Sequence, residues 1–381
     1  MAVFFIVFFV LFSAINYYIS VRGWQALQAV PHLRVFYLVI LLILAFSYLA
    51  AKIFEKHLPT VIYDKLIFIG SFWFACILYF ILIIVLLDLT RLLNSFFNIY
   101  PSYIIKNYPI VKLYTFIISV IIVGIILLYG FYNSRNFVIK TLDLELPQKK
   151  SSLNELNIVQ ISDIHLSAIN DEKWLNKAVE KINSLNPDIV LIAGDLVDER
   201  AYYFELKQLG KSFKKIKNKY GIFASTGNHE YINGAKGIVE YFSNLGITWI
   251  LDTSVFINNN FYVAARLDTA VNSFTKMHRK SLDQVLRNVN IEYPIILMDH
   301  TPFKLNEAEE HSVDLQLSGH THNGQMFPLN WITNLIYEIS WGYGKKSNTQ
   351  YYVSSGMGSW GPPVKIASDA EIVNIRIKFI K

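Results

Sequence analysis

The chain has 381 residues, 53% of them hydrophobic, and carries a formal net charge of +6. Its mean hydropathy of +0.33 is too high for an ordinary soluble protein, and its length leaves room for two domains. The single cysteine, Cys76, excludes an intramolecular disulfide framework and a cysteine-based zinc site. No basic block with interleaved aromatic residues occurs, so the charge favours contact with anionic membrane lipid, and no nucleic-acid partner is expected.

The apolar excess lies in the first third of the chain. Four stretches there have about the ~20 residues that an α-helix needs to cross a bilayer. Transmembrane helices are therefore predicted at residues 2–21, 35–51, 66–87 and 113–132. No Lys or Arg precedes the first stretch and no small-residue cleavage site follows it, which favours a retained helix over a cleaved signal peptide. No charged residue lies near the centre of a span, so an anchoring or lipid-presenting role is favoured over an ion or proton path.

The cationic residues between these stretches bear on orientation. With four spans both chain ends lie on one side, which carries seven cationic residues against five on the other. The positive-inside rule then places both ends, and everything after residue 150, in the cytoplasm. The seven are Lys52, Lys56, Lys65, Arg135, Lys140, Lys149 and Lys150, and the five are Arg22, Arg34, Arg91, Lys106 and Lys112.

The pattern changes after the membrane region, residues 1–135. Residues 136–155 are predicted to be a linker, and residues 156–381 a globular α/β (α+β) domain, because short apolar runs there alternate with amphipathic segments. Buried strands are predicted at 156–162, 188–194, 221–227, 294–299 and 313–319. Helices are predicted at 171–187 (capped by Asn170), 202–221 and 235–246, and a half-buried, antiparallel strand at 371–380.

Each of the five buried strands ends in polar residues. Because the carboxyl ends of strands in an open α/β sheet form its ligand-binding crevice, these side chains are expected to meet there. In chain order the clusters are Asp163 with His165; Asp195 with Asp198; Asn228, His229 and Glu230; Asp299 with His300; and His320 with His322.

The side chains in these clusters are carboxylates, imidazoles and one amide, with no thiolate. Such a set suits Mn²⁺, Fe, Zn²⁺ or similar divalent ions, and it is too large for one four-coordinate zinc. Two ions about 3.5–4 Å apart, bridged by one carboxylate, would use all of it, and Asp195 is central in the order. Each cluster taken alone is as well explained by a turn or a helix cap, but five such coincidences at five strand ends are not expected.

The ordered motifs resemble those of the calcineurin-like metallophosphoesterases. They are "DIH" at 163–165, "GDLVD" at 194–198, "GNHE" at 227–230, His300, and "GHTH" at 319–322. The resemblance covers roughly residues 155–381, and the stretches "DLQLSGHTHNGQMFP" and "YVSSGMGSWGPPVKI" are similar to a bacterial, membrane-associated branch. It implies a sandwich of two mixed sheets flanked by helices, and a multi-pass protein of the bacterial inner (cell) membrane.

The resemblance also implies roles for single residues. Two divalent metal ions would share Asp195, a hydroxide held between them would attack phosphorus in line, and His229 would bind no metal but stabilise the transition state or protonate the leaving oxygen. The other ligands would be Asp163, His165 and His322 for the first ion, and Asn228, His300 and His320 for the second. Asp198 and Glu230 are predicted, from their positions alone, to orient the ligands.

Two positions depart from the pattern of that branch. Asn323 follows the last motif where relatives carry glycine, and Lys365 stands where they tend to carry arginine. Because lysine cannot form the two-pronged contact of arginine, recognition of the distal part of the substrate is expected to differ.

The sequence thus predicts a membrane-anchored, dinuclear metal-dependent phosphohydrolase. Its expected substrates are phosphodiesters, pyrophosphates or phosphomonoesters, and lipid-linked phosphates of the cell envelope are candidates. The alternative is a membrane sensor or scaffold whose metal-bound domain binds phosphorylated ligands without turnover. A family resemblance alone does not determine the substrate.

Overall fold

A computed structural model describes the backbone of residues 2–381 and the side chains from residue 6 onward. The chain divides into two compact units. The membrane unit comprises the residues up to Phe131 together with Gly361–Val364, and the globular unit comprises Tyr132–Trp360 and Lys365–Lys381.

The membrane unit consists of helices, four of which are long and apolar enough to cross a membrane. In chain order the helices are α1 (Ala2–Ala26), α2 (Arg34–Ile53), α3 (Thr60–Phe97), the short α4 (Ser102–Lys106) and α5 (Tyr108–Arg135). The four predicted spans lie within the four long helices.

The largest difference from the predicted spans is in α3, which has 38 residues. It continues past Leu87 and takes up Asp88 and Arg91, which the sequence had suggested as the start of a loop. No helix breaker occurs in this segment, and the helix ends only at Asn98, whose φ of 48° is left-handed. Ion pairing of Asp88 with Arg91, one helical turn away, makes these charges compatible with the helix.

The globular unit contains two mixed six-stranded sheets. The first has the order β1-β12-β2-β3-β4-β5 and the second the order β10-β11-β9-β8-β7-β6. The strands are β1 (Phe137–Pro147), β2 (Glu155–Ile161), β3 (Ile189–Ala193), β4 (Ile222–Ser225), β5 (Ile247–Trp249), β6 (Thr253–Ile257), β7 (Phe261–Ala265), β8 (Ile295–Met298), β9 (Leu315–Ser318), β10 (Gly342–Lys346), β11 (Thr349–Val353) and β12 (Ala370–Ile380).

The main hydrophobic core lies between the two sheets. Ile158 and Leu191 from the first sheet meet Ile296 and Leu317 from the second in one buried cluster. Helices accompany the sheets, so the unit has the two-sheet architecture that the resemblance implied. They are α6 (Glu172–Ser184), α7 (Ala201–Lys207), α8 (Asn228–Asn233), α9 (Ala235–Ser243), α10 (Val271–Phe274), α11 (Leu282–Leu286), α12 (Asn306–Glu310) and α13 (Leu329–Ile336).

Two of the predicted helices differ in detail. The cap of α6 is Asp171, whose side chain accepts the Trp174 N–H at 2.9 Å, and not Asn170. The helix predicted at 202–221 is interrupted, because α7 ends at Lys207 and Gly210 adopts a left-handed φ of 88° before a short 3₁₀ turn at Lys211–Lys215.

Part of the predicted linker is a strand. Strand β1 occupies Phe137–Pro147 and pairs in parallel with the whole of β12, from Phe137 opposite Ala370 to Pro147 opposite Ile380. Only Asn136 and residues 148–154 of the segment lie outside regular structure. The strand β12 is antiparallel to β2, as predicted, and parallel to β1.

The five predicted buried strands are β2, β3, β4, β8 and β9. They belong to both sheets, three to the first and two to the second, so the predicted single sheet edge is two edges that face each other. A hydrogen bond from Gln160 Nε2 to the carbonyl oxygen of Ser318, at 3.0 Å, joins the two sheets close to their carboxyl ends. This arrangement brings the polar loops of both sheets to one place.

Candidate metal centre

All of the predicted ligands lie on loops at this junction. Asp163 and His165 follow β2, Asp195 follows β3, and Asn228 begins α8. His300 follows β8, and His320 and His322 follow β9. The six of them that are aspartate or histidine, together with His229, form three overlapping groups, and within each group the potential ligand atoms lie within 4.8 Å of one another.

The first group contains Asp163, His165 and His322, all buried. The Nε2 atoms of His165 and His322 are 3.1 Å apart. The His322 Nε2 lies 3.3 Å from Asp163 Oδ1, and the His165 Nε2 lies 4.0 Å from the same oxygen. Three potential donor atoms therefore converge on one point.

The second group contains Asp195, His300 and His320. The His300 Nε2 is 3.1 Å from Asp195 Oδ2. Asn228 joins this group, because its Oδ1 is 3.0 Å from His320 Nδ1. An amide oxygen, a carboxylate and two imidazoles are thus brought together, as the sequence predicted for a second ion.

Asp195 connects the two groups. It also belongs to a third group, with His165 and His229, and so stands beside histidines from both ends of the cluster. Its side chain is 97% buried, and its Oδ1 accepts the backbone N–H of His229 at 2.8 Å. Burial alone would raise the pKa of Asp195, but the charges of His300 and His229 lower it well below its ordinary value, which keeps it anionic.

Two of the imidazoles are oriented by bonds to their other nitrogen. His165 donates from Nδ1 to Asp198 Oδ1 at 2.6 Å, and His300 donates from Nδ1 to the carbonyl oxygen of Ala193 at 2.8 Å. Because Nδ1 is engaged, Nε2 is the nitrogen of each ring that faces the cluster and could bind an ion. This is the usual way in which proteins orient a histidine that binds metal.

His229 lies beside the groups and shares Asp198 with His165. Its Nδ1 is 2.7 Å from Asp198 Oδ1, and its ring contacts that of His165 edge to face. Burial lowers the pKa of His229, but Asp195 and Asp198 more than offset this and raise it to about 9. Such an imidazole is cationic at neutral pH and can donate a proton.

Glu230 organises the backbone between two of the loops. Its carboxylate accepts N–H groups from Asp195 at 3.1 Å, from Leu196 at 2.8 Å and from Gly227 at 2.7 Å. It is fully buried and takes part in none of the ligand groups. Glu230 therefore hydrogen-bonds to the backbone of these loops and to none of the predicted ligand side chains.

The backbone of the cluster is unusual. Five of the seven predicted ligands have a left-handed φ, namely Asp163, His165, Asp195, His320 and His322. Non-glycine residues rarely adopt this conformation, and each instance costs of order 1–3 kcal/mol. Unfavourable conformations concentrated in one cluster indicate a functional site.

Close packing explains two of the motif glycines. A Cβ atom on Gly227 would come within 2.2 Å of Asp195 Oδ1, and one on Gly319 within 2.2 Å of Asp163 Oδ2. Each glycine therefore leaves room for a ligand carboxylate that a different loop supplies. Their presence in "GNHE" and "GHTH" follows from this contact.

The donor set fits divalent metal ions. Two fully buried carboxylates, Asp163 and Asp195, stand among imidazoles, and the pKa of each is lowered against the opposing effect of burial. Buried anions of this kind require a cationic partner. Carboxylate, imidazole and amide ligands suit the borderline and hard divalent ions, which agrees with the sequence.

Several residues beside the cluster were not predicted as site residues. Thr301 donates to Asp268 Oδ2 at 2.7 Å, one residue after His300. Two aromatic rings also contact the cluster, because the centroid of Tyr337 is 6.2 Å from that of His320, and the centroid of Trp360 is 6.0 Å from that of His229. Trp360 belongs to the "SGMGSWGPP" stretch, which was the only sequence signal for it.

Asp299, although adjacent to His300, belongs to none of the ligand groups found among the described residues. It forms ion pairs with Arg279 at 2.5 Å and with Arg266 at 3.5 Å. Arg266 is also paired with Glu307 at 2.5 Å. The role of Asp299 in this structure is to join a buried charge network behind the loop.

Lys365 was expected to affect recognition of the distal part of the substrate, but the structure gives it a different role. Its side chain is fully buried and donates to the carbonyl oxygens of Ser355, Gly356 and Asp369, at 2.6, 2.8 and 3.0 Å. With three protons engaged by three carbonyls, it is not available to bind the distal part of a substrate. Its function is to hold the loop at Gly356, where a Cβ would meet Asp163 at 2.8 Å.

Comparisons with known proteins agree with this geometry. Residues 156–324 match the family model of the calcineurin-like phosphoesterases. An uncharacterized metallophosphoesterase of Campylobacter jejuni is 30% identical over 72% of this chain and 72% of its own length. A zebrafish protein, named a transmembrane protein with metallophosphoesterase domain, is 32% identical over 69% of this chain. The chain spans 62% of the zebrafish protein's length.

More distant similarities extend to named enzymes. The UDP-2,3-diacylglucosamine pyrophosphatase of Chlamydia trachomatis is 24% identical over 62% of this chain and 87% of its own length. Among solved structures, a 5'-nucleotidase precursor from Thermus thermophilus aligns with 59% of this chain and 54% of that one, at 13% identity and a TM-score of 0.35. The sequence matches lead to one conclusion. The chain belongs to the calcineurin-like phosphoesterase family.

Proposed function

We propose that this chain is a membrane-anchored phosphohydrolase with a dinuclear metal centre, acting on phosphodiester, pyrophosphate or phosphomonoester bonds. The observation that carries the proposal is the position of Asp195. This buried carboxylate contributes to ligand groups on both sides of it. A carboxylate that offers one oxygen to each of two ions is the feature that distinguishes a dinuclear centre from a single-metal site.

The proposed ligand assignment is the one that the family resemblance implies. Asp163, His165 and His322 would hold one ion, and Asn228, His300 and His320 the other, with Asp195 shared. The convergence of the first three residues and the contact of Asn228 with His320 support it. When bound, two divalent ions supply a nucleophile at neutral pH and neutralise the charge that develops on the phosphoryl group.

The chain's own residues carry out the remaining steps. His229, held at Nδ1 by Asp198, has its other nitrogen free to donate a proton to the leaving oxygen. Its positive charge also opposes the negative charge of a phosphoryl group. Asp198 orients both His229 and His165, so it couples the position of the acid to that of a ligand.

The proposed substrate is a phosphate ester or pyrophosphate borne by an envelope lipid. Two observations support this. The same polypeptide carries four helices that are long and apolar enough to span a membrane. The relative from Chlamydia trachomatis is named as a pyrophosphatase of a diacylated glucosamine nucleotide, which is a lipid-linked pyrophosphate.

The test uses the purified full-length chain in detergent, loaded with Mn²⁺, and a panel of nitrophenyl phosphodiesters and monoesters followed by lipid pyrophosphates. We expect turnover, and a loss of more than about 100-fold in Asp195→Asn, beyond the 10–100-fold typical of residues that only support a ligand. Asp143→Asn is the matched control, because Asp143 is an exposed aspartate on β1 paired with Arg376.

Metal content separates the outcomes. Two equivalents of metal with turnover support the proposal. Two equivalents without turnover on any substrate in the panel would favour the alternative, in which the domain only binds phosphorylated ligands. No bound metal, together with an unaffected Asp195→Asn variant, would contradict both.

Orientation is a separate proposal. We propose that the globular unit faces the cytoplasm of a bacterial cell, with the helices in the inner membrane. The distribution of cationic residues, seven against five, supports this orientation. A reporter fused after Lys381 tests this. Activity of a cytoplasm-specific reporter is expected, and activity of a reporter that works only outside the cytoplasm would reverse the assignment.

A further inference from the structure

The membrane unit contains a cavity of about 390 Å³ that the proposed function does not use. All four long helices line it. Its walls are mostly aliphatic and aromatic, with Leu41 and Leu44 from α2, Ile84 from α3, and Phe116 and Val120 from α5. A cavity of this size lies within the range of small-molecule ligand sites.

Three cationic side chains also line the cavity: Arg22, Arg91 and Lys112. They lie at the same end of the bundle, since Arg22 is near the end of α1, Arg91 near the end of α3, and Lys112 near the start of α5. The cavity is therefore amphipathic, with an apolar body and a positively charged end.

The charge at that end is only partly neutralised. Asp88 forms ion pairs with Arg22 and with Arg91, the latter at 2.5 Å. Lys112 donates to Gln28 Oε1 at 2.7 Å, and none of the described residues offers it a carboxylate. Three cations facing one anion leave an excess of two positive charges.

Uncompensated charge beside an apolar cavity is unfavourable in a membrane protein, and such residues usually face a partner. A phosphate group would supply the missing negative charge. Polar groups elsewhere on the wall, such as the hydroxyls of Tyr37 and Ser119, donate to backbone carbonyls of the bundle itself. The rest of the cavity would therefore bury hydrocarbon. A lipid with an anionic phosphate headgroup supplies both the negative charge and the hydrocarbon.

We infer that this cavity binds one anionic phospholipid, with its phosphate at Arg22, Arg91 and Lys112 and an acyl chain between α2, α3 and α5. The site is distinct from the metal centre, and the inference does not depend on the proposed hydrolase activity. Its function is to stabilise the helical bundle by binding a specific lipid.

The experiment measures thermal unfolding of the full-length chain in a neutral detergent, with phosphatidylglycerol, phosphatidylcholine or inorganic phosphate added. Native mass spectrometry of the same samples counts bound lipid. We expect phosphatidylglycerol to raise the apparent Tm and to bind in a one-to-one ratio, with a smaller effect of phosphatidylcholine. We expect no effect of inorganic phosphate, because phosphate alone leaves the apolar walls empty.

Two variants test the two halves of the site. Lys112→Gln removes a positive charge that is not paired with a carboxylate in the described residues. We expect it to weaken phosphatidylglycerol binding about five- to tenfold, because each cationic residue contributes about 1 kcal/mol to the binding of anionic lipid. Ser119→Leu fills the cavity from α5 and is expected to abolish binding by exclusion. The controls are Lys106→Gln, in α4, and Ile121→Phe, at an exposed position of α5.

The outcomes divide clearly. Weakened phosphatidylglycerol binding in Lys112→Gln and abolished binding in Ser119→Leu, with both controls unchanged, support the inference, even if Ser119→Leu is itself more stable than the parent. The inference is overturned if inorganic phosphate reproduces the stabilisation, if the two lipids act equally, or if both site variants bind phosphatidylglycerol like the parent. Should either site variant fail to fold, the comparison of added ligands on the unmodified chain still decides between these results.

Discussion

Asp198 is the residue on which two imidazoles of the site depend. One of its oxygens accepts from His165 at 2.6 Å and lies 2.7 Å from His229 Nδ1. Asp198→Asn removes the negative charge and leaves only a neutral amide oxygen as the acceptor, which weakens the hold on both imidazoles. We expect kcat to fall about 10–100-fold, the usual effect of losing a partner of a metal-binding histidine. Metal content should fall as well, and a variant with unchanged kcat would contradict this role.

Lys365 tests whether a buried lysine can be purely structural. In Lys365→Met three carbonyl oxygens lose their donor in a buried place, and we expect the unfolding free energy to fall by about 2–4 kcal/mol. Lys378→Met, at an exposed position of β12, is the matched control. Denaturant unfolding followed by tryptophan fluorescence measures both. Equal stability of the two variants would show that the three hydrogen bonds contribute little.

At this scale the sequence predicted the cluster members well and their surroundings poorly. The ligands could be predicted because they sit in short motifs whose spacing records the chemistry, as in "GHTH". Lys365 and Asp299 could not, because their partners lie on loops that only the tertiary structure brings near. The sequence alone does not distinguish a lysine that contacts substrate from one whose ammonium group donates to backbone carbonyls.

Strand β1 is the element whose role the sequence concealed. Its residues alternate with Lys140, Asp143 and Glu145, which made the segment resemble a solvated linker. Asp143 and Glu145 nevertheless lie on one face, as is typical of a strand with one solvated side, and Leu144 and Leu146 on the other face join the core. Strand β5, which was not predicted, has three residues and is too short to show a period.

The contribution of β1 to stability can be measured with two substitutions in it. Leu146 is 1% exposed and lies in the main core, so Leu146→Ala is expected to cost about 2–4 kcal/mol of unfolding free energy. Ile139 is 37% exposed, so Ile139→Ala should cost clearly less. Chemical denaturation of the full-length variants gives both values. If they are alike, β1 does not pack as the structure shows.

In the folded molecule two buried carboxylates, Asp163 and Asp195, lie close together among imidazoles. Removal of divalent ions with a chelator should therefore lower the apparent Tm of the full-length chain, and Mn²⁺ should restore it. An ion present at about 100 times its dissociation constant stabilises the folded state by about 2.7 kcal/mol. Differential scanning fluorimetry measures the effect without relying on activity.

The control for this experiment is Asp195→Asn, which should respond much less to Mn²⁺ because it lacks the carboxylate that two of the three ligand groups share. A parent chain that unfolds at one temperature with and without chelator would contradict the metal assignment. If Asp195→Asn responds to Mn²⁺ like the parent chain, the proposal that Asp195 binds the metal is contradicted.

The pairing of β1 with β12 has a practical consequence for work on the globular unit outside the membrane. A soluble fragment that begins at residue 156, where the family match begins, would lack β1 and expose the free edge of β12 along eleven residues. Such a long, partly apolar edge invites strand-to-strand association between molecules. A fragment that begins at Asn136 keeps the edge covered, and it is the one we expect to remain monodisperse for crystallisation.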